Sequence, residues 1–125
     1  MLCIATGGNL LALAATAFTL SWTHSVEQTT WREAWRVAGD RLQVVEASVE
    51  GPGAGIALPE NARMTAEGWT YVPDLPPLPR LTLAASGMTP SAWMLCAAGD
   101  CHELGAEAGA PVEIWAAESC IDPSH

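Results

Sequence analysis

Residues 18–37 read FTLSWTHSVEQTTWREAWRV, with a histidine and a glutamate set among tryptophans. These two, His24 and Glu33, and Glu46 beyond them are residue types that move protons or hold a divalent cation. In residues 18–26 alternation puts Phe18, Leu20, Trp22, His24 and Val26 on one face of a strand, and Thr19, Ser21, Thr23 and Ser25 on the other. In residues 30–38 the same rule places Trp31, Glu33, Trp35 and Val37 on the apolar face, while Thr30, Arg32, Ala34 and Arg36 face water. A hairpin loop at Glu27-Gln28-Thr29-Thr30 sets His24 opposite Glu33, and a turn at Gly39-Asp40 sets Glu33 opposite Glu46. The spacing therefore predicts one polar row, His24–Glu33–Glu46, across three strands and bordered by tryptophans.

Such a row admits several chemistries. A carboxylate beside an imidazole can hold the imidazolium or fix a ring tautomer. Two facing carboxylates are costly unless one is protonated or a cation lies between them. A histidine with two glutamates is a plausible ligand set for a divalent metal, and apolar walls that shift pKa values suit general acid–base work. The plainer accounts are a buried hydrogen-bonded pair that specifies strand register, or a Glu46 that turns outward where its strand twists. A Ser25–His24 dyad is disfavoured, because neighbours on a strand point to opposite faces. Catalysis is the weakest of these readings, and no catalytic residue is assigned.

The elements that would position the row are short strands with turn punctuation. LCIAT and LLALA flank Gly7-Gly8-Asn9, a hairpin signal. RLQVVEASVE follows Gly39-Asp40, and RMTAEGWTYV reads as a small hairpin turning at Glu67-Gly68. PDLPPLP must be an extended connector or an edge. RLTLAAS, AWMLCAA, CHELG and PVEIWAA read as further strands, and residues 116–125 as a loose tail. No stretch sustains a 3.6-residue period with caps. The expectation is one all-β domain over residues 1–125, an antiparallel sandwich or partly open barrel with very little helix.

The glycine-rich GPGAGIALP has no phosphate-loop ending. Gly51, Gly53, Ala54 and Gly55 could bring backbone amides close to a carboxylate or a partner chain, although a tight crossover is the plainer account. Cys96 and Cys101 bracket AAGD, so two strands joined by that loop would oppose them at disulfide distance. Free thiols are the alternative, and a zinc site would need further ligands at suitable spacing. Cys3 and Cys120 could pair if the terminal strands are neighbours. The even count and the hairpin-spaced pair favour an extracytoplasmic placement over a cytoplasmic one.

The chain's 125 residues, half of them apolar, suit one globular domain. A net charge of −9, from 14 acids against five arginines and no lysine, argues against nucleic acid as a partner. No apolar run reaches the ~20 residues of a membrane span. LLALAATAF (residues 10–18) reads as strand rather than as the apolar block of a signal. No cofactor is specified by any motif.

By WTHSVEQTTWREAWRV, GPGAGIALP and LCAAGDC, the chain resembles a family of small bacterial proteins of unknown function, typically encoded beside TAXI-type TRAP transporters. The likeness runs from about residue 18 to residue 104. His24, Ser25, Val26, Glu33, Gly53, Ala54 and Gly55 are its matching positions, and Gln28 stands where many relatives carry Lys. The resemblance implies an accessory role around solute uptake, with a transporter subunit or its solute-binding protein as the expected partner, and the reading favoured here is a non-enzymatic interaction module. A small-ligand or metal-binding domain and a hydrolase-like enzyme are the competing readings.

Overall fold

In a computed structural model of the chain, residues 1–23, 30–50, 61–65, 68–83, 93–105 and 109–120 are described. They contain eleven strands and no helix. These are β1 (Leu2–Thr6), β2 (Asn9–Leu13), β3 (Ala17–Thr23), β4 (Thr30–Ala38), β5 (Arg41–Val49) and β6 (Arg63–Thr65), then β7 (Gly68–Tyr71), β8 (Leu81–Leu83), β9 (Trp93–Ala97), β10 (Asp100–Leu104) and β11 (Val112–Ala116). All pairings are antiparallel, in two sheets ordered β2-β1-β11-β8 and β10-β9-β3-β4-β5-β7-β6. The expected all-β sandwich is the fold observed.

Each sheet contributes one apolar face to the core, as period-two patterning requires. Leu2, Ile4, Leu83, Val112 and Ile114 come from the smaller sheet, and Phe18, Leu20, Trp35, Leu42, Val44 and Leu95 from the larger. β1 and β2 close through Gly7 and Gly8, both at positive φ, the conformation a two-residue hairpin turn demands. Gly68 is the other glycine whose backbone matters. It lies at φ 110°, and a Cβ there would collide with the Val49 carbonyl of β5.

The proline-rich connector runs along the free edge at the start of β5. Leu42 and Leu78 exchange both backbone hydrogen bonds, at 2.7 and 2.8 Å, and the Gln43 amide nitrogen donates to the Leu75 carbonyl. Proline suits this place because an edge leaves half of its N–H groups unused. Both disulfides are formed, Cys3–Cys120 and Cys96–Cys101. The expected loose tail is therefore tied down in its first half. Ala116 is buried in β11, the Ala117 N–H donates to the Met1 carbonyl, and Cys120 is bonded to β1. Residues 121–125 lie outside the described residues.

Candidate functional site

The phase of β3 and β4 follows the sequence pattern, but their register does not. Phe18, Leu20 and Trp22 share the inner face with Trp31, Glu33 and Trp35, as alternation demands. Their partners, however, are Trp22↔Trp31, Leu20↔Glu33 and Phe18↔Trp35. The pairing has slipped by four residues from the one expected, and an even slip keeps every side chain on its own face. Glu33 thus faces Leu20 instead of His24. His24 itself, with Gly51, Gly53, Ala54 and Gly55, lies outside the described residues.

The Gly39-Asp40 turn is formed as expected, with Val37↔Leu42 and Trp35↔Val44. A β-bulge then intervenes: the next pairs are Ala34↔Glu46 and Glu33↔Ala47. The extra residue turns Val45 and Glu46 both outward and moves the buried positions of β5 from Leu42 and Val44 to Ala47 and Val49. Glu46 therefore leaves the predicted row. It points from the opposite face to Glu33 and lies 3.5 Å from the Arg63 guanidinium. One ion cannot be shared by Glu33 and Glu46 in this arrangement. Among the described residues, no group of three or more His, Cys, Asp or Glu could hold a metal.

What does surround Glu33 is aromatic. Trp31 and Trp35 flank it on its own strand, and the Trp35 indole N–H donates to its Oε1 at 3.2 Å. One row further along, Trp22 stacks on Trp31 at 6.3 Å between centroids and meets Trp93 at 4.9 Å. Trp69 lies beyond Val49 in the same row. In the row of Glu33 itself, Ala47 and then Tyr71 follow on β5 and β7. Burial pushes the Glu33 carboxyl above its ordinary pKa, against the opposing pull of the Trp35 hydrogen bond. The Tyr71 phenol is raised too, by burial first and by the Glu33 charge second.

Sequence reasoning did not find Tyr71, because it reaches the row of Glu33 only through β5. It also missed the buried, unpartnered Nε1 of Trp31 and Nε2 of His102. His102 shares the row through Leu95 and Leu20. Three strand spacings separate it from Glu33, roughly 14 Å, so the two do not act on one atom. The arrangement gives a desolvated carboxylate held by an indole, a proton-holding or cation-accepting group without an oriented nucleophile among the described residues.

The sequence cue for the bulge was present in RLQVVEASV, where the apolar positions change from even to odd between Val44 and Ala47. The candidate pair Cys96–Cys101 is bonded, and the two residues are direct cross-strand partners with Cα atoms 4.0 Å apart.

Residues 18–104 match the family model DUF1850, a domain of unknown function. This span runs from β3 to β10 and holds the whole seven-stranded sheet. No curated protein and no solved structure matches the chain. With more than half of its length matched, the chain belongs to the DUF1850 family.

Proposed function

We propose that this domain is a non-enzymatic interaction module of the extracytoplasmic space, accessory to a TRAP-type solute-uptake system. The observation that carries the placement is the pair of disulfides, one of which joins residues 117 positions apart. Structural disulfides persist in oxidising compartments and are reduced in the cytosol. The link to TRAP transport draws on the resemblance carried by His24, Ser25, Val26, Glu33, Gly53, Ala54 and Gly55. Its expected partner is a transporter subunit or the solute-binding protein that feeds it. The reading as an interaction module draws on the lack of an oriented nucleophile beside Glu33 among the described residues.

The test starts from native cells. Acid-quenched protein is alkylated and weighed intact, and a tagged copy is used to capture partners at native expression. All four cysteines should resist alkylation until reduced, and a TRAP subunit or solute-binding protein should co-purify. Alkylation of all four without reduction would remove the extracytoplasmic placement. Capture that never includes a transport component would remove the transporter link.

A second reading, a small-ligand domain built on His24 and Glu33, draws on the desolvated setting of Glu33. Glu46 no longer belongs to that set. A ligand whose binding is lost in Glu33→Gln, with the fold intact, would favour it over the interaction module.

A further inference from the structure

The outer face of the seven-stranded sheet holds a hollow of about 600 Å³ that is open to solvent. Its size falls within the ~300–1,000 Å³ of small-molecule sites. It exists because the side chains that meet there are small: Ala17 of β3 and Ala34 of β4 leave the sheet surface low between taller neighbours. Two features raise its walls. The β5 bulge turns Val45 outward, leaving it 46% exposed although it is aliphatic. On the other side stands the Cys96–Cys101 disulfide. The lining is almost wholly apolar, with Arg36 as its one charged residue.

Charge selects the occupant. Arg36 lies directly across from Ala17 on the neighbouring strand and is exposed. Among the described residues it has no ion-pair partner, in a chain whose net charge is −9. Glu46, which points from the same face, is taken by Arg63. An uncompensated guanidinium at the border of an apolar hollow fits a molecule with an aliphatic body and an anionic end. Arg32, on the same face of β4, borders smaller clefts shared with Thr30, Ser48 and the carboxylates of Glu46 and Glu50. Ala34 reaches one of these clefts, but Val45 and the disulfide line neither.

We propose that this hollow binds a linear aliphatic carboxylate, its chain lying against Ala34, Val45 and the disulfide and its carboxylate on Arg36. The inference goes beyond the transporter reading and stands or falls apart from it.

The test titrates dodecanoate, below its micelle concentration, into the oxidised full chain. Calorimetry is the readout. The expected result is saturable binding at one site, weakened about tenfold or more by Arg36→Gln and unchanged by Arg32→Gln. Ala34→Leu, which raises the floor under the aliphatic chain, should weaken it. Should that variant fail to fold, Val45→Glu places a repelling carboxylate on an already exposed position and should abolish binding. Four outcomes would overturn the proposal: no binding to wild type, equal weakening by Arg32→Gln and Arg36→Gln, equal affinity for dodecyltrimethylammonium, or binding only to anionic lipid vesicles and not to free dodecanoate.

Discussion

The two faces of the seven-stranded sheet are made by the same strands, yet they carry opposite chemistry. On the inner face of β4, Trp31, Glu33 and Trp35 are packed among aromatic neighbours, and the one carboxylate is desolvated and held by an indole. On the outer face of the same strand, Arg32 and Arg36 are exposed cations with no ion pair among the described residues, and Ala34 leaves a gap where a side chain is small. One residue of offset separates the two environments. The difference teaches that in this domain the polar group with altered chemistry and the apolar hollow on the surface are different places. The sequence row His24–Glu33–Glu46 had merged them.

Trp35 should show the largest contrast between the faces. It is 3% exposed, stacks with Phe18 at 6.2 Å between centroids and orients Glu33. Trp35→Ala should cost about 3–5 kcal/mol, read as the shift in a urea midpoint at constant slope. A change below about 1 kcal/mol there would mean that the inner face is not the packed one.

Removing the outer-face disulfide with Cys96→Ala and Cys101→Ala should cost about 2 kcal/mol by the loop-entropy argument for so short a loop. The same measurement checks it, and dodecanoate binding should weaken as one wall of the hollow shrinks.

Glu33→Gln tests the electrostatic half of the comparison. Because the folded pKa of Glu33 lies above its ordinary value, the folded state holds the proton more tightly than the unfolded one. The stabilisation is full below the ordinary carboxylate pKa and is lost as pH rises through the raised folded value. Glu33→Gln should therefore be more stable than wild type at neutral pH, with the advantage shrinking toward pH 4. The Gln carbonyl oxygen can still accept from the Trp35 indole. Tyr71 should also ionise at lower pH in that variant, since the Glu33 charge is one of the causes that raise it. An ultraviolet titration of Tyr71 that does not move would break the inferred coupling across Ala47.

The smallest effects belong to the exposed cations. Arg32→Ala should change stability by less than about 0.5 kcal/mol. Arg63→Ala, which removes the exposed 3.5 Å pair with Glu46, should cost no more than about 1 kcal/mol. A larger loss from Arg63 would give that outer-face pair a structural part that its exposure does not suggest.

Much of this could be read before any coordinates were known. Alternation along residues 18–26 and 30–38 placed Phe18, Leu20, Trp22, Trp31, Glu33 and Trp35 on one face, because the period of a strand is a local property of its backbone. Gly7-Gly8 and Gly39-Asp40 marked their turns because positive φ is cheap at glycine. Cys96 and Cys101 could be paired because a tight hairpin leaves little choice of register.

Tertiary structure decided the rest. Every even slip of β3 on β4 leaves the faces unchanged, so local pattern could not tell Leu20 from His24 as the partner of Glu33. The bulge in β5 leaves Val44 and Ala47 both buried, and Val44 shares a core cluster with Val112 and Ile114, residues far from it in the chain. Tyr71 joins Glu33, and the hollow opens beside Arg36, only after β7, β9 and β10 have been added to the sheet. Sequence by itself determined the fold class, the strand faces and the cross-strand disulfide, because each depends on neighbours within a few residues. Which residues meet across strands was left to the packing of the whole sandwich, because pairing energy depends on surfaces that no single strand contains.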